Sequence, residues 1–415
     1  MPWKEIRVEE QRLLVVQDRE EGMSISELAE IHGVSRKTIY KWLDRYQEQG
    51  VQGLRNLSRR PHHSPNQVSA EVEAAIVEAR QRWRWGPGKL RVKLCGQDSS
   101  QQWPAVSTIA AVLKAKGLVV SRRRRARTPV QRPPYAAADA PNAVWCADFK
   151  GWFRSGDGTR IDPLTITDSC SRYLLRCQIV ERTGYTQTQA VFEAAFREYG
   201  LPVVIHTDNG VPFASVAPGG LSRLSMWFVR LGIVPERSRP ACPQDNGRHE
   251  RMHRTLKEAA ASPPKANRRM QQRAFDQFRR EYNEVRPHQA LAMETPESVY
   301  RSSPRPFPAR VPEPEYDTTM KVRRVFEHGQ FFFNRHNVFL SKVLYGERIG
   351  LLPIDDRYQR IYLAWYPIAR LDTKTMRVEK LRQEDRTSEP EAYGKEEIPK
   401  NGDSHLPTGT TTAGR

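Results

Sequence analysis

The chain has few cysteines and no long apolar segment. Its 415 residues include 5 cysteines, none of them in a CxxC pair, which argues against a structural zinc site and a disulfide framework. No apolar run approaches the roughly 18 residues of a membrane-spanning helix, and the N-terminus lacks the apolar core of a signal peptide. These absences predict a chain that folds in a reducing cytoplasm.

Acidic residues are in the minority, and the excess of positive charge is unevenly distributed. The formal net charge is +19, from 67 Lys and Arg against 48 Asp and Glu. Residues 1–135 hold 25 Lys and Arg against 14 Asp and Glu, and residues 248–280 hold 10 against 3. Such clusters favour a polyanionic partner such as nucleic acid, with a basic surface that binds nothing as the alternative.

Changes in composition divide the chain into several predicted domains, as its length also suggests. In order along the chain, we predict a helix-turn-helix DNA-binding domain at residues 1–60, a second helix-turn-helix-like domain at 66–120, a basic linker at 121–140, an α/β catalytic core at 141–300, a small β-barrel at 315–378 and a disordered tail at 380–415. The protein is therefore expected to be multidomain, with all-α, α/β and β parts.

Residues 23–43 carry the pattern of a helix-turn-helix unit. Ser24 and Glu27 form a capping-box pattern, and Ser35 is placed to cap a second helix just after Gly33. The residues expected to point inward are Leu28, Ala29, Ile31, Val34, Ile39, Trp42 and Leu43. The residues left outward, as candidates to enter a major groove, are Arg36, Lys37, Tyr40, Lys41 and Arg45. A three-helix bundle with a solvated basic face is the alternative.

The next segment predicts a second helical unit and then a basic linker. Helices are expected at residues 69–80, 89–96 and 108–116, with Ser107 as the cap of the last one. The linker contains the consecutive arginines Arg122, Arg123, Arg124 and Arg125, which cannot pack in a core. They are candidates for phosphate contacts, although a solvated charge run is the alternative.

From residue 144 onward the pattern changes to strands. The expected strands are 144–153, 164–168, 173–180, 202–206 and 234–238, and the expected helices are 186–199, 221–231, 246–260 and 267–284. This order predicts a mixed five-stranded sheet flanked by helices. Five further short strands, at 322–326, 330–333, 337–340, 348–352 and 360–365, suggest a small barrel.

Three acids stand in distinctive positions within the α/β segment. Asp148 lies in VWCADFKGWF (144–153), and Asp208 directly follows the apolar run VVIHT. Glu250 lies in RHERMHR, within the first turns of a predicted helix. Two strand-end acids and one helix acid can converge on a pair of divalent cations, an arrangement that cuts and joins phosphodiesters. We therefore predict an enzyme that acts on DNA.

Basic residues and competing acids surround this candidate site. Arg254 and Lys257 follow Glu250 by four and seven residues, on the same helix face, and are candidate DNA contacts. His253 is a candidate too, or an ordinary helix-surface residue. The acids that compete as ligands are Asp157, Asp162, Asp168, Glu193 and Asp245. Asp168 is interpreted as a turn residue and Asp245 as the cap of the following helix.

Three phrases together resemble a known family. HTDNG (206–210), DNGRHERMHRTLK (245–257) and YNEVRPHQAL (282–291) are similar to motifs of bacterial insertion-sequence transposases in the retroviral-integrase, or DDE, superfamily. The resemblance extends over nearly all of residues 20–370, and the combination of motifs is highly specific. It implies an RNase H-like catalytic core, helix-turn-helix units that recognise element ends, and a C-terminal SH3-like barrel.

The resemblance also implies a site, cofactors and partners. Asp148, Asp208 and Glu250 would bind two Mg²⁺ or Mn²⁺ ions per active site, with Asp148 bridging both ions. The enzyme would cleave at the element ends and transfer the resulting strand into target DNA. Its partners would be double-stranded DNA, both terminal repeats and target, and further copies of itself in a homodimer or higher oligomer. Its location would be the bacterial cytoplasm, in association with the nucleoid.

Two departures from the family and two rival functions qualify this prediction. The spacing from Asp208 to Glu250 is a few residues longer than the familiar one, with residues 213–220 as the insertion, and a loop there can lengthen without moving either ligand. The zinc-binding N-terminal domain of retroviral integrases is absent. The rivals are a non-catalytic DNA-binding regulator and an RNase H-like nuclease or resolvase that cuts without joining.

Overall fold

The computed structural model describes residues 7–57, 67–119, 136–239 and 242–381, except for the side chains of residues 243 and 244. The arginines Arg122, Arg123, Arg124 and Arg125 and the tail from residue 382 lie outside this range. The chain forms two compact units, Met1–Glu73 and Ala74–Arg415, which are described separately. No helix among the described residues has both the length and the apolar composition needed to cross a bilayer.

The first unit begins with three helices, α1 (Val8–Glu20), α2 (Ile25–Ile31) and α3 (Arg36–Gln49). The predicted helix starts are confirmed: the Ser24 hydroxyl accepts the backbone N–H of Glu27, and the Ser35 hydroxyl accepts that of Thr38. Val15, Leu28 and Ile39 form the buried centre of these helices. The helices α2 and α3 are therefore each stabilised by a serine cap and by one buried apolar side chain.

Two of the predicted orientations in this unit are wrong. Ile31, expected to point inward, is 63% exposed because it is the last residue of α2. Arg45, expected to point outward to DNA, is half-buried, and its guanidinium donates to the Arg55 carbonyl at 2.6 Å. Arg45 therefore tethers the turn that follows α3.

Three more helices follow, α4 (Ala70–Trp83), α5 (Pro87–Gln97) and α6 (Val106–Ala115). Ile76, Leu90 and Ile109 are fully buried among them. The predicted cap of α6 is wrong: Ala105 is at the N-cap position, and Ser107 already lies inside the helix.

The central sheet contains six strands, β1 (Val144–Phe149), β2 (Phe153–Arg154), β3 (Arg160–Asp168), β4 (Leu174–Val180), β5 (Val204–Thr207) and β6 (Val234–Arg237). β3 pairs antiparallel with β1, β2 and β4, whereas β5 runs parallel to both β1 and β6. The single strand predicted at 144–153 is interrupted, since Gly151 adopts a φ of 83° and divides it into β1 and β2. The mixed sheet thus has one more, very short, strand than predicted.

Helices cover this sheet and provide its core. They are α7 (Tyr185–Tyr199), α8 (Arg223–Arg230), α9 (Gly247–Leu256), α10 (Arg268–Arg280) and α11 (Pro296–Val299). Trp145 of β1 packs with Phe192 and Phe196 of α7 and Phe228 of α8. A second cluster joins α9 and α10 to the sheet through residues that include Met252, Leu256, Phe275 and Ile179. α9 and α10 each end in a π-helical turn, Lys257–Ala261 and Glu281–Val285.

The C-terminal strands form an open arrangement. β7 (Lys321–Arg324), β10 (Arg348–Pro353), β11 (Tyr358–Leu363), β12 (Tyr366–Asp372) and β13 (Arg377–Glu379) form an antiparallel sheet in the order β13-β12-β11-β10-β7. β8 (Gln330–Phe333) and β9 (His336–Phe339) pair only with each other. The predicted SH3-like barrel is not confirmed, because the hydrogen-bonded strands do not close. The sequence also did not predict β12 and β13, whose residues alternate less clearly.

Candidate active site

The ends of two parallel strands bring Asp148 and Asp208 close together. β1 and β5 pair in register, with Ala147 opposite Thr207, so the residues that follow are Asp148 and Asp208. Neighbouring strands lie about 4.8 Å apart, and both aspartates remain half-buried at this carboxyl edge of the sheet. The edge of an open α/β sheet is where such folds place ligands.

The loop after Asp208 is shaped around its carboxylate. The backbone N–H of Gly210 donates to Asp208 Oδ1 at 3.0 Å. A Cβ at position 210 would lie 3.0 Å from Asp208 Oδ2, so a larger residue would press on the acid. The Asn209 amide donates to the Ser238 carbonyl at 2.6 Å and ties the loop to the chain after β6. The sequence Asp-Asn-Gly therefore orients the Asp208 carboxylate and stabilises the turn that follows it.

Glu250 lies in the first turn of α9, on a face that carries positive charge. Glu250, Arg254 and Lys257 are exposed, as the i, i+4, i+7 spacing predicts. The opposite face of α9 is buried and consists of His249, Met252, His253 and Leu256. The sequence left His253 as either a DNA contact or a helix-surface residue. In the structure it is only 8% exposed, so neither prediction is confirmed.

The three acids interact electrostatically. Burial raises the pKa of Asp148 to about 7, and the negative charges of Asp208 and Glu250 add to the rise. The backbone N–H of Phe149 and the charge of Lys150 act in the opposite direction. Repelling carboxylates of this kind fit a divalent cation, since hard oxygen ligands and excess negative charge are what Mg²⁺ requires. Among the described residues, however, no three His, Cys, Asp or Glu side chains are close enough to form a ready-made metal cluster.

A buried network of hydroxyl and imidazole groups supports Asp148. Thr165 of β3 donates its hydroxyl to the Asp148 carbonyl at 3.1 Å. Both His249 and His253 place Nε2 at 2.7 Å from the same hydroxyl oxygen. A hydroxyl has only one hydrogen to donate, so both imidazoles must donate from Nε2. The Thr167 hydroxyl lies 2.8 Å from Nδ1 of His249 and donates a hydrogen bond to it.

The same network leaves one imidazole nitrogen facing the acid. His253 Nδ1 lies 3.8 Å from Asp148 Oδ2. Burial lowers the pKa of His253 to about 3, and Lys150 adds to this effect, so the ring is neutral at physiological pH. Burial also lowers the pKa of His249 well below its usual value. We call the set Thr165, Thr167, His249 and His253 the threonine–histidine network.

Sequence reasoning missed this network and Lys150. His249 and His253 are four residues apart and flank Glu250, which is a signal that they share one helix face. Nothing in the local pattern identifies Thr165 as their partner, because it lies 84 residues from His249. Lys150 is two residues beyond Asp148, and its pKa is lowered by burial and by the nearby charge of Lys257.

The competing acids have structural partners. Asp245 is not a helix cap: it accepts two hydrogen bonds from the Arg239 guanidinium, and Asn246 takes the N-cap position of α9. Asp168 is the buried last residue of β3 and not a turn residue itself, but it accepts the Ser171 backbone N–H at 2.7 Å and so stabilises the turn that follows. The remaining competitors accept from nearby groups: Asp157 from Ser155, Asp162 from Arg160 and Glu193 from Arg197.

The predicted DNA-contact residues fall into three groups. Arg36, Lys37, Tyr40 and Lys41 are all exposed on α3, and Tyr40 is 55% exposed. Arg254 and Lys257 are exposed beside Glu250. The arginine run at 122–125 lies outside the described residues.

Family models match three segments of the chain. A winged helix-turn helix model matches residues 12–74, and two integrase core domain models match residues 138–243 and 231–296. The integrase segments contain all three acids and most of the central sheet. The mixed α/β sheet region is thus integrase-core-like, and the helical N-terminal region is of helix-turn-helix type.

Curated relatives come from an insertion element and from retroviruses. A 31.7 kDa protein of insertion element IS407 from Burkholderia multivorans is 26% identical over 246 residues, which are 57% of this chain and 84% of that protein. The Gag-Pol polyprotein of baboon endogenous virus is 24% identical over 224 residues. That match spans 52% of this chain but only 12% of the polyprotein. Among solved structures, the HTLV-2 integrase catalytic core domain in complex with magnesium has a TM-score of 0.32 and 16% identity, covering 39% of this chain and 98% of that one.

Proposed function

Because this chain belongs to the superfamily of DDE transposases and retroviral integrases, we propose that it is a DNA transposase that cleaves element ends and transfers them into target DNA. The observation that carries the proposal is that Asp148 and Asp208 lie side by side at the ends of adjacent strands, and that the charge of Glu250 also acts on Asp148. Nothing in the polynucleotidyl transfer reaction requires a covalent enzyme intermediate, so carboxylates and phosphate-binding cations suffice.

The residues proposed to hold the cofactor are Asp148, Asp208 and Glu250. Bound there, two Mg²⁺ or Mn²⁺ ions would neutralise charge on the phosphate under attack and on the leaving oxygen. The raised pKa of Asp148 supports this assignment, because the three acids repel one another without a cation. Asp148, whose pKa is raised by burial and by both Asp208 and Glu250, would contribute to both ions, as the family resemblance implies.

Other residues of the site bind and orient. Arg254 and Lys257 present two cations on the same face as Glu250, at a spacing that suits successive phosphates. The threonine–histidine network holds Asp148 in place through its backbone carbonyl, which accepts the Thr165 hydroxyl. A preorganised carboxylate costs less to order when substrate binds.

End recognition is assigned to the helix-turn-helix unit. The exposed face of α3 offers Arg36, Lys37, Tyr40 and Lys41 to a major groove, as a recognition helix does. Two element ends and a target must be held together during joining, so we expect a homodimer or higher oligomer on DNA. A cytoplasmic location near the nucleoid follows from the same function.

The experiment is a strand-transfer assay with Mg²⁺, using fragments that flank the gene as donors. Wild type is compared with Glu250→Gln and with a matched control, Glu193→Gln, whose acid pairs with Arg197 on the surface of α7. Joined products from wild type and the control, but not from Glu250→Gln, support the transposase. Cleavage without joining by wild type would instead support a nuclease or resolvase.

A DNA-binding regulator is the second candidate function. It is favoured by the basic outer face of α3, which lies in a compact unit that does not contain the three acids. If wild type and Glu250→Gln both shift the flanking fragments in a gel and neither joins them, this function replaces the first.

A further inference from the structure

A groove in the second unit lies between the end of α4 and the two π-helical turns. It has a volume of about 370 Å³. Its lining includes Arg82, Trp83 and Trp85 on one side and Glu258, Lys265 and Arg286 on the other. We call it the tryptophan groove. No step of the proposed reaction uses it.

Two indole rings in the groove form a stack that ends in cations. The rings of Trp83 and Trp85 are 5.4 Å apart and inclined by only 20°. The Arg82 guanidinium lies 5.2 Å and the Lys93 ammonium 5.7 Å from the centre of the Trp83 ring. The Arg286 guanidinium lies 5.6 Å from the centre of the Trp85 ring.

The two tryptophans differ in exposure. Trp85 is only 6% exposed, and its ring is in contact with Trp83 and Arg286. Trp83 is half-buried, and the side chain of Arg82 beside it is exposed to solvent. A flexible, exposed cation can move aside, so the outer part of the Trp83 ring is accessible to a ligand.

Basic residues outnumber acidic ones in the groove lining: Arg82, Arg84, Lys265 and Arg286 against Glu258 and Glu281. Arg286 interacts electrostatically with Glu258, whereas Lys89 and Lys93 form no ion pair within the part of the chain that the structure describes. Burial lowers the pKa of Lys89 to about 8, and the charges of Arg286 and Arg251 contribute. The acids of the lining, Glu258 and Glu281, are exposed. Clustered, partly buried cations are unfavourable by themselves and are stabilised by an anion.

The groove adjoins the helix that carries Glu250. Thr255 and Glu258 contribute to its lining from the end of α9 and its π-helical turn. Glu258 follows Glu250 by eight residues, which corresponds to about 12 Å along a helix axis. A DNA strand advances about 3.4 Å per nucleotide in a duplex, so a few nucleotides cover that distance.

We propose that the tryptophan groove binds an unpaired segment of the DNA substrate, with one base stacked on Trp83 and adjacent phosphates on Arg82, Lys93 and Arg286. The inference rests on the proposed function, because cleavage beside Glu250 releases a strand end. Bases of an intact duplex stack on one another and offer only their edges, whereas an unpaired base offers a face to an aromatic ring. The combination of indole rings and cations is the chemistry that holds single strands.

The test measures binding of a single-stranded oligothymidylate of about ten nucleotides, within the usual site sizes for one strand. Binding is followed by fluorescence anisotropy in the presence of chelator, so that no cleavage occurs. Trp83→Ala should weaken this binding by about tenfold, since one stacked base is lost. Trp83→Phe retains an aromatic face and should recover most of the affinity. Affinity for a duplex of the same length should change by less than about twofold in both variants.

Trp103→Ala is the matched control. Trp103 belongs to the loop before α6, and its indole N–H donates to the Asp98 carbonyl at 2.9 Å, away from the groove lining. This variant should bind the oligothymidylate as wild type does. The proposal is overturned if Trp83→Ala binds the oligothymidylate normally, or if its single-strand and duplex affinities fall together and Phe does not restore them.

The same proteins separate this proposal from the transposase function. If wild type joins DNA but Trp83→Ala binds the oligothymidylate normally, the groove proposal alone fails. If wild type joins no DNA while single-strand binding still depends on Trp83, the groove proposal stands and the transposase function fails.

Discussion

Helices α3 and α9 both present basic side chains on an exposed face, but their buried faces differ. In α3, Ile39 is the one fully buried residue, and Arg36, Lys37 and Lys41 extend into solvent. In α9, two histidines share the buried face with Met252 and Leu256, and they hydrogen-bond to Thr165 of the sheet. The exposed residues of α3 can therefore change without altering the fold, whereas the buried face of α9 is part of a polar network that also holds Asp148 of β1.

Removing one of the three acids should have the largest effect. It should lower strand transfer at the site beside α9 and leave duplex binding through α3 unchanged. Asp148→Asn is expected to lower strand transfer by about 10²–10⁴-fold, because charge stabilisation by a bound cation contributes several kcal/mol. Duplex affinity, measured by gel shift, should stay within a few-fold of wild type. If strand transfer persisted at near the wild-type rate, the assignment of Asp148 as a metal ligand would be wrong.

The threonine–histidine network provides the next test. Thr165→Val keeps the shape of the side chain but removes the hydroxyl that three groups share. We expect about a 10–100-fold lower kcat with little change in KM for DNA, since Asp148 loses its orientation but the phosphate contacts remain. Thr165→Ser retains the hydroxyl and should restore most of the rate. Equal loss in the Ser and Val variants would mean that packing of the methyl group matters and not the hydrogen bonds.

The pH dependence of stability should also differ between the two regions. Burial and neighbouring acids raise the pKa of Asp148 to about 7, so ionising it is less favourable in the folded protein than in the unfolded chain. Without metal, the contribution of Asp148 to the free energy of unfolding should therefore fall as pH rises from about 4 through 7, whereas the buried histidines, whose pKa values are lowered, contribute stability that rises over this range. Asp148→Asn should match wild type near pH 4 and exceed its stability by about 1–3 kcal/mol near pH 8.

Thermal unfolding at a series of pH values checks this expectation. Addition of Mg²⁺ should stabilise wild type at the higher pH and leave Asp148→Asn nearly unchanged. If the free energies of unfolding of wild type and Asp148→Asn changed by the same amount between pH 4 and 7, the electrostatic account would be contradicted.

The smallest effect is expected on the α3 side. Lys37→Ala removes one exposed cation, so the slope of log K against log salt for duplex binding should decrease by about 0.9. Stability should change by less than about 0.5 kcal/mol, as for other exposed positions. A destabilisation of several kcal/mol would show that α3 is not the independent surface described above.

Local signals predicted much of this architecture because they act over one or two helical turns. Ser24, Glu27 and Ser35 cap neighbouring backbone groups, so their effect could be inferred from spacing alone. The exposure of Arg254 and Lys257 beside Glu250 followed from helical periodicity. Ser107 failed as a cap because a Ser near a helix start is compatible with several positions, and only the backbone geometry selects Ala105.

Long-range pairing explains most of what could not be predicted. Asp245 is a local exception: it was expected to cap α9, but it pairs with Arg239, six residues away, and Asn246 is at the N-cap position. Asp and Asn are about equally favoured as N-caps, so the sequence alone does not choose between them. The open C-terminal sheet, with a separate β8–β9 hairpin, depends on which strand edges meet rather than on alternation within each strand. His253 was interpreted as a DNA contact or as a helix-surface residue, and neither alternative predicted its burial, because its partner Thr165 is 88 residues away.

The sequence by itself determined where α2 and α3 begin, the mixed sheet, the acids at the strand ends and the basic face of α9. Each of these follows from periodicity, capping or composition, which are properties of contiguous residues. Only the tertiary structure decided that β1 and β5 are adjacent and in register, that Thr165 joins two histidines to Asp148, and that Trp83 and Arg286 meet across a groove. Contacts between distant segments depend on how sheets pair and helices pack, and no local pattern specifies them.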